Sequence, residues 1–352
     1  MIVQKFGGSS VDSAPAIERV VGLVRERLGS RPVVVVSAMA KTTRQLLASA
    51  GAAGAGDLAG AREILAEIRD LHERESRPVV APGSLDALFA AHFGELRQAL
   101  QEIAAAGRVT PRAADRIAGY GELLSSAILT ESLRRGGVDA VLVDCRRVIV
   151  TDDTFTRALP DYPATDERLR AALSPLLAAG SVPVLGGYAG ATADGIPSTL
   201  GKEGSDFSAA IVGAALGAEE VQIWTDVDGI LTADPQLVPG ARPVAALTFA
   251  EALELACSGS KKPHPGTLGP ARKKDVPVRI LNSRHPKAPG TLIGRRDAGG
   301  EPRIRSIALR SHAHLLHVQP LAAHAGNGFL LGVLELCERF RPALLVLDAD
   351  AA

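Results

Sequence analysis

The sequence predicts an α/β fold with a mainly parallel central sheet that helices cover on both faces. The first reason is the order of segments at the amino end: an apolar stretch at residues 2–6, a Gly-rich turn, a helical pattern and a second apolar stretch. This order is typical of a βαβ unit, whose two strands pair in parallel. The second reason is the run Val33-Val34-Val35-Val36, which does not alternate with polar residues and so predicts a strand buried on both faces.

Composition and charge narrow the class of protein. The chain has 352 residues, 46% of them hydrophobic, which indicates an ordinary globular protein with room for about two domains. Its 39 basic and 39 acidic residues give no net charge, so we expect no nucleic-acid partner. The sequence has neither a secretion signal nor a long apolar run, which favours a cytoplasmic protein without membrane contact. The three cysteines (Cys145, Cys257, Cys337) lack metal-ligand spacing.

Periodicity and turn residues predict the remaining elements. Pro15 and the apolar residues after it predict a first helix, and residues 44–107 predict a mainly structural helical insertion. Strands are predicted at 138–143, 182–185, 221–224 and 276–281, and helices after Thr110 and at 166–180, 207–217 and 247–256. Residues 282–300 predict a linker to a small C-terminal piece with strands at 303–309, 314–318 and 343–348 and a helix near 328–340.

The stretch from Gly186 to Asp206 combines an incoming strand, a Gly-rich loop and a helix start. This combination favours anion binding, because backbone N–H groups and the helix dipole point at the ligand. We expect Ser205 to cap the helix and Asp206 to lie in its first turn. A Gly-rich surface loop before a well-capped helix would give the same pattern, so this stretch alone leaves both interpretations open. Its spacing matches neither the P-loop nor the dinucleotide-binding fingerprint.

Polar clusters recur where the predicted strands end. They are residues 5–10, 37–44, 186–206 and 225–229. Because open α/β sheets bind ligands in a crevice at the carboxyl ends of their strands, we predict that the four clusters meet at one ligand site.

Five motifs stand out along the chain. They are Lys5-Phe6-Gly7-Gly8-Ser9-Ser10, Ser37-Ala38-Met39 with Thr42-Thr43, Thr199-Leu200-Gly201 with Gly204-Ser205-Asp206, Trp224-Thr225-Asp226-Val227-Asp228-Gly229, and Gly259-Ser260-Lys261 with His264-Pro265. In this order the chain resembles the aspartate kinases of the amino-acid kinase family. The resemblance implies a three-layer αβα sandwich, the amino-acid kinase fold, over residues 1–293.

The resemblance also implies a reaction. The family transfers the γ-phosphoryl group of ATP, with Mg²⁺, to the side-chain carboxylate of L-aspartate, giving 4-phospho-L-aspartate for the synthesis of aspartate-derived amino acids such as lysine and threonine. The acceptor carboxylate is already ionised near neutral pH, so no general base is required. Catalysis would therefore rest on positioning and on neutralisation of phosphate charge.

By resemblance, the catalytic residues are Lys5 at the transferred phosphoryl group, Asp206 positioning Lys5, and Lys261 at the nucleotide phosphates. The implied nucleotide-binding residues are Gly7, Gly8, Ser9, Thr225, Asp226, Asp228, Gly229 and Lys261. The implied substrate-binding residues are Ser37, Thr43, Glu122, Lys202 and Ser205, with Glu122 at the ammonium group and Lys202 at the α-carboxylate. No protein residue is assigned to a metal. Structural interpretations stay open for Glu122, as a surface helix residue, and for Asp226 and Asp228, as turn formers.

Several positions depart from the family's pattern, among them Ser260 and Lys262 in place of Ala and Val, and four others bear on ligand contacts. Lys202 and Glu203 stand where the family has Arg and Gly, and Leu231 and Gln236 stand where it has Tyr and Arg. Lysine replaces a planar, two-pronged carboxylate clamp with a point charge. Two alternatives to an aspartate kinase therefore stay open: a divergent paralogue that phosphorylates another small carboxylate, and a non-catalytic subunit that binds a small molecule.

The C-terminal residues carry a separate expectation. Aspartate kinases usually have two ACT regulatory domains, and residues 301–352 resemble a truncated ACT-like α+β piece. An incomplete unit has an open sheet edge, which favours pairing with a second chain. We therefore expect a homodimer formed through this piece, without feedback inhibition by lysine or threonine.

Overall fold

The computed structural model describes residues 1–258, 265–295, 304–309, 318 and 326–340. The strands in these residues are β1 Ile2–Phe6, β2 Pro32–Val36, β3 Ala140–Val143, β4 Val150–Thr151, β5 Val182–Gly186, β6 Ala189–Thr192, β7 Pro197–Thr199, β8 Glu220–Thr225, β9 Ala246–Thr248, β10 Val278–Asn282 and β11 Thr291–Gly294. The helices are α1 Ala14–Arg25, α2 Thr42–Gly54, α3 Leu58–Ser76, α4 Asp86–Ala106, α5 Pro111–Ala118, α6 Tyr120–Arg135, α7 Tyr162–Ala178, α8 Gly204–Leu216, α9 Phe249–Cys257, α10 Pro265–Lys274 and α11 Gly326–Phe340.

The main sheet has eight strands in the order β3-β5-β2-β1-β8-β10-β11-β9. Neighbouring strands pair in parallel, except that β10 and β11 are antiparallel. The predicted mainly parallel sheet is therefore confirmed. β1 lies between β2 and β8, so Lys5 and the turn that follows Phe6 occupy the middle of the sheet's carboxyl edge.

The four valines of β2 show why helices cover both faces of the sheet. Successive side chains of a strand point to opposite faces. Val34 and Val36 belong to a core that includes side chains of α1 to α6, whereas Val33 and Val35 belong to a second core with α7 to α10. Burying a valine side chain stabilises the fold by about 1.5–3 kcal/mol relative to leaving it exposed. This arrangement confirms the three-layer αβα sandwich.

The predicted helical insertion forms α2, α3 and α4, which lie between residues 42 and 106. Phe89 and Phe93 of α4 pack edge to face with ring centroids 6.1 Å apart. Both rings belong to the same core as Val34 and Val36 of the sheet. The insertion therefore shares the main hydrophobic core.

Two stretches of the chain differ from the sequence prediction. Residues 186–206 are not one loop, because β6 and β7 lie within them and form a second sheet with β4. Residues 282–300 are not only a linker, because β11 lies within them and pairs with β10. The sequence also did not predict β9. These strands have two to four residues, which is too short for a periodic pattern to be detected.

Two predicted boundaries also need correction. α7 begins at Tyr162 and not near residue 166, because the Asp161 carboxylate accepts the Ala164 N–H at 3.2 Å and so caps an earlier helix start. β3 covers only part of the predicted strand at 138–143 and lies at the edge of the sheet. Leu142 is consequently exposed and not buried.

The described part of the C-terminal piece agrees only partly with the prediction. α11 confirms the helix near 328–340. The strand predicted at 303–309 is wrong for residues 304–309, which have no regular secondary structure; there, the Ser306 hydroxyl donates to the carbonyl of Leu231 at 2.7 Å. The strands predicted at 314–318 and 343–348 lie outside the described residues, apart from Val318.

Within the described residues, none of the helices combines the length and apolarity needed to cross a membrane.

The close packing of α8 on the sheet leads to a prediction. A Cβ added at Gly213 would overlap Val221 Cγ2 and approach Val3. Alanine normally stabilises a helix interior by about 1 kcal/mol relative to glycine, but forcing extra volume into a packed core costs about 1–3 kcal/mol. We expect Gly213→Ala to lower the free energy of unfolding, measured by urea denaturation. Gly22→Ala in α1 is the matched control, because nothing lies within 4 Å of its added Cβ, and it should raise that free energy. Stabilisation by both substitutions would contradict the packing.

Candidate active site

A cavity of about 610 Å³ opens at the carboxyl ends of β1, β2 and β5. The predicted site residues that line it are Lys5, Gly8, Ser37, Thr43, Glu122, Lys202, Ser205 and Asp206. Three of the four polar clusters therefore meet at one place, and every substrate-binding residue implied by the resemblance is among them. The fourth cluster, residues 225–229, follows β8, the strand next to β1.

The centre of the cavity wall is an ion pair between Lys5 Nζ and Asp206 Oδ1. The two side chains are only 4% and 2% exposed. Lys5 is fixed because its strand pairs on both sides, opposite Val35 and Ile223. Asp206 lies in the first turn of α8, where the positive end of the helix dipole stabilises a carboxylate. The pair therefore holds a cation at a defined point on the cavity wall.

The start of α8 differs from the prediction. Ser205 is not the N-cap: the helix begins at Gly204, and the preceding Glu203 adopts a left-handed conformation with φ 57°. Within the described residues, no side chain caps this helix start. Ser205 instead lies beside Glu122, and its hydroxyl helps to stabilise the ionised form of that carboxylate. The backbone end of α8 is thus directed at the cavity, as an anion site requires.

Glu122, in α6, is a buried acid and not a surface residue, since it is only 4% exposed. Burial raises its pKa to about 8, although the Ala38 backbone amide, the charge of Lys5 and the Ser205 hydroxyl act in the opposite direction. Its Oε2 atom has no hydrogen-bond partner among the described residues. A buried carboxylate with an open oxygen in a cavity wall is suited to a cationic ligand group.

Backbone conformation distinguishes this cavity from the rest of the chain. Four residues other than glycine that line it have positive φ angles: Ala40 at 51°, Thr156 at 72°, Tyr188 at 65° and Glu203 at 57°. Such conformations cost of order 1–3 kcal/mol each and persist where the surroundings hold them. The sequence did not indicate Thr156 or Tyr188 as site residues, and it contains no local signal for Asp115, which also lines the cavity.

The turn after β1 lies close to two other segments, the end of β8 and the residues after β2. The Gly7 N–H donates to the carbonyl of Trp224 at 3.2 Å, which joins this turn to the end of β8. A Cβ at Gly8 would lie 2.7 Å from the carbonyl oxygen of Ala38, so only glycine fits there. Gly7 and Ser9 do not line the cavity but are half-buried neighbours of its wall.

The predicted nucleotide residues after β8 form a separate polar group beside the cavity. Thr225, Asp226, Asp228 and Gly229 do not line the cavity itself. Asn282 Nδ2 donates to Asp228 Oδ1 at 2.7 Å and His285 Nδ1 lies 3.1 Å from the same oxygen, and these two contacts lower the pKa of Asp228. Lys261 and His264 lie outside the described residues.

Among the described residues, no three His, Cys, Asp or Glu side chains gather as a metal site. A Mg²⁺ ion that binds together with phosphate groups usually needs only one or two protein carboxylates. Asp206 is one carboxylate on the cavity wall, where it is ion-paired with Lys5.

Known proteins are similar to this chain in sequence and in fold. The pattern of the amino acid kinase family matches residues 1–282. Aspartokinase 3, chloroplastic, of Arabidopsis thaliana is 37% identical over 344 residues, which is 96% of this chain and 60% of that protein. Lysine-sensitive aspartokinase 3 of Escherichia coli (strain K12) is 37% identical over 343 residues, which is 96% of this chain and 74% of that protein.

A solved structure agrees with the fold over nearly the whole chain. The crystal structure of E. coli aspartokinase III in complex with aspartate and ADP, in the R-state, has a TM-score of 0.86 at 33% identity and covers 99% of this chain and 76% of that one. The chain spans 59% to 62% of the length of the three Arabidopsis aspartokinases that it matches. On its sequence, its fold and the matching motifs at its cavity, the chain belongs to the amino acid kinase family.

Proposed function

We propose that the protein transfers the γ-phosphoryl group of ATP to the side-chain carboxylate of L-aspartate. The observation that carries this proposal is the buried Lys5–Asp206 pair in a cavity that also contains Glu122 and Lys202. These groups offer a cation for a phosphoryl group, an anion for an ammonium group and a second cation for a carboxylate. The similarity to E. coli aspartokinase III, whose structure contains aspartate and ADP, supports the same substrates.

In the proposed reaction, an oxygen of the aspartate side chain attacks the γ-phosphorus while the bond to the bridging oxygen of ADP breaks. The attacking carboxylate is ionised at neutral pH, so no residue needs to remove a proton. Lys5 would stabilise negative charge on the transferred group, and Asp206 would hold Lys5 in place. The backbone N–H groups at the start of α8 add partial positive charge at the same wall.

Glu122 and Lys202 would orient the acceptor from its other end. An ammonium group beside Glu122 would ionise that carboxyl, which is partly protonated in the free protein because its pKa is about 8. Lys202 is exposed at the rim of the cavity, where it can reach an α-carboxylate. Ser37, Thr43 and Ser205 complete the lining on this side. Such fixed orientation is the main source of rate in a reaction that needs no acid or base.

The nucleotide would lie along the ends of β1 and β8. Gly7, Gly8 and Ser9 would approach its phosphates, and Thr225, Asp226, Asp228 and Gly229 would hold the remainder, with Lys261 also at the phosphates. Asp228 is already oriented by Asn282, which supports this role. Mg²⁺, bound mainly by the phosphates with Asp206 near by, would neutralise phosphate charge.

A second candidate is phosphorylation of a different small carboxylate. It is favoured by the rim of the cavity, where Lys202 and Glu203 lie in place of the family's Arg and Gly. A non-catalytic binding subunit is less well supported, because the cavity wall keeps a buried cation, Lys5, where the resemblance implies the transferred phosphoryl group.

We also propose self-association through the C-terminal piece. α11 leaves Leu331 58% exposed and Leu336 54% exposed, which suits a helix that packs against a second copy of the chain.

The first test of the proposed function uses the ion pair. We expect wild-type protein with Mg-ATP and aspartate to form a hydroxamate when hydroxylamine traps the acyl phosphate. Removing a charge-stabilising donor typically lowers kcat by about 10²–10³, so Lys5→Met should lose the hydroxamate signal while Lys274→Ala, on the surface of α10, keeps it.

Each single change removes one charge of the buried pair and keeps the other, which costs about 3–5 kcal/mol. The double variant Lys5→Met/Asp206→Asn removes both charges and should recover much of this stability without recovering activity. Activity in the double variant would refute the assigned roles of Lys5 and Asp206.

The raised pKa of Glu122 predicts a pH dependence. Between the ordinary value of 4.5 and the folded value of about 8, the native state keeps a proton that the unfolded state has released. Stability of the unliganded protein should therefore fall as pH rises through this window, by about 1 kcal/mol per pH unit from this group. Glu122→Gln removes the effect, so its stability relative to wild type should increase from pH 5 to pH 8.

Urea denaturation at several pH values measures this difference. Added aspartate should restore stability to the wild-type protein at pH 8 and leave Glu122→Gln unchanged. Parallel pH profiles for the two proteins would show that Glu122 does not carry a raised pKa.

The rim residues provide a test of substrate choice. Lys202→Arg/Glu203→Gly restores the family's pattern, and a two-pronged clamp in place of a point charge should raise kcat/KM for aspartate about tenfold, equivalent to about 1.4 kcal/mol. Glu203→Gly alone should stabilise the protein by about 1 kcal/mol, because glycine adopts the left-handed conformation without penalty. If aspartate turnover stays flat or falls in the double variant, the proposal that Lys202 and Glu203 direct the site to a different carboxylate is refuted.

A further inference from the structure

Asp115 is a buried acid that the proposed reaction does not use. It lies in α5, is 2% exposed and lines the cavity. Its Oδ2 accepts the backbone N–H of Thr156 at 2.8 Å and of Thr199 at 2.9 Å, and its Oδ1 accepts the hydroxyl of Thr199 at 2.6 Å. One carboxylate thus joins three elements that are distant in the sequence: a helix, the loop after β4 and the end of β7.

The two segments held by Asp115 form one side of the cavity. Thr156 lines the cavity directly, and Thr199 is followed by the turn that contains Lys202 and Glu203. The segments are also joined to each other, since the Ala158 N–H donates to the carbonyl of Thr199 at 2.8 Å. Movement of either segment would therefore displace the rim of the cavity.

The same region contains three of the left-handed residues, Thr156, Tyr188 and Glu203. The N–H of Leu200, the residue after Thr199, donates to the carbonyl of Tyr188 at 2.8 Å. Non-glycine residues keep such conformations only where neighbouring contacts determine them. Asp115 supplies those contacts for the segments at Thr156 and Thr199.

Burial raises the pKa of Asp115, although its three hydrogen bonds act in the opposite direction. An apolar residue at this position would leave the N–H groups of Thr156 and Thr199 without this acceptor, which is costly for buried groups. Retention of this acid is explained by what its acceptor oxygens hold in place.

We propose that Asp115 is a positioning residue for the substrate side of the active site. Its carboxylate holds the segments at Thr156 and Thr199 so that Lys202 and Glu203 face the acceptor molecule, while the nucleotide side, on β1 and β8, does not depend on it. This inference rests on the proposed function for the identity of the acceptor.

The test compares Asp115→Ala, Asp115→Asn and Asp57→Ala. Alanine removes all three hydrogen bonds. Asparagine keeps an oxygen for the two backbone N–H groups and turns its amide towards the Thr199 hydroxyl, which can accept. Asp57→Ala is the control, because Asp57 accepts the Gly60 N–H at 2.8 Å at the start of α3 and does not line the cavity.

We expect Asp115→Ala to raise the KM for aspartate about 10- to 100-fold, as a misplaced binding group does, and to leave the KM for ATP unchanged. Asp115→Asn should stay close to wild type, and Asp57→Ala should lower the melting temperature without changing either KM. An unchanged KM for aspartate in Asp115→Ala, an equal rise in both KM values, or the same loss in Asp115→Asn as in Asp115→Ala would overturn the inference.

Amide hydrogen exchange decides the inference independently of turnover. Exchange at Thr156 and Thr199 should be faster in Asp115→Ala than in wild type, while exchange at Gly7, on the nucleotide side, stays the same. If wild-type protein forms no hydroxamate, the proposed function fails, but this pattern of exchange still supports the positioning role. Unchanged exchange at Thr156 and Thr199, or faster exchange at all three sites, would overturn it.

Discussion

The buried ion pair between Lys5 and Asp206 is the constraint on which the rest of the structure depends. Two opposite charges are removed from water, one on the central strand and one at the start of a helix. The attraction between the two charges offsets the cost of this desolvation only when both partners are held in a fixed geometry. Strands on both sides fix Lys5, and the packing of α8 against the sheet, close enough that Gly213 has no room for a side chain, fixes Asp206.

The other acidic groups of the cavity also lower the stability of the fold. Burial raises the pKa of both Glu122 and Asp115, so ionising either carboxyl costs stability in the unliganded protein. Left-handed residues on the cavity wall add backbone strain. Two hydrophobic cores, one on each face of the sheet, provide the stability that allows this arrangement. Several residues that shape the cavity therefore reduce the stability of the unliganded protein.

Much of the fold was predictable because its signals are local. The run from Val33 to Val36 predicted a strand covered on both faces, and polar clusters at strand ends predicted the cavity residues Lys5, Ser37 and Asp206. The second sheet and β9 were missed because their strands are too short for periodicity. Asp115 was missed for a different reason: its partners are 41 and 84 residues away, so no local pattern records the contact. The left-handed Glu203 likewise depends on tertiary packing and not on its own propensity.

The helical insertion has a consequence for how the protein unfolds. Phe89 and Phe93 of α4 share one continuous apolar cluster with Val34 and Val36 of the sheet, and α2 of the same insertion contributes Thr43 and Leu47 to the cavity wall. The insertion and the sheet therefore form a single cooperative unit and not a body with a detachable arm. Loss of a contact within α3 or α4 would therefore lower the stability of the whole unit, without any change in a residue that touches a ligand.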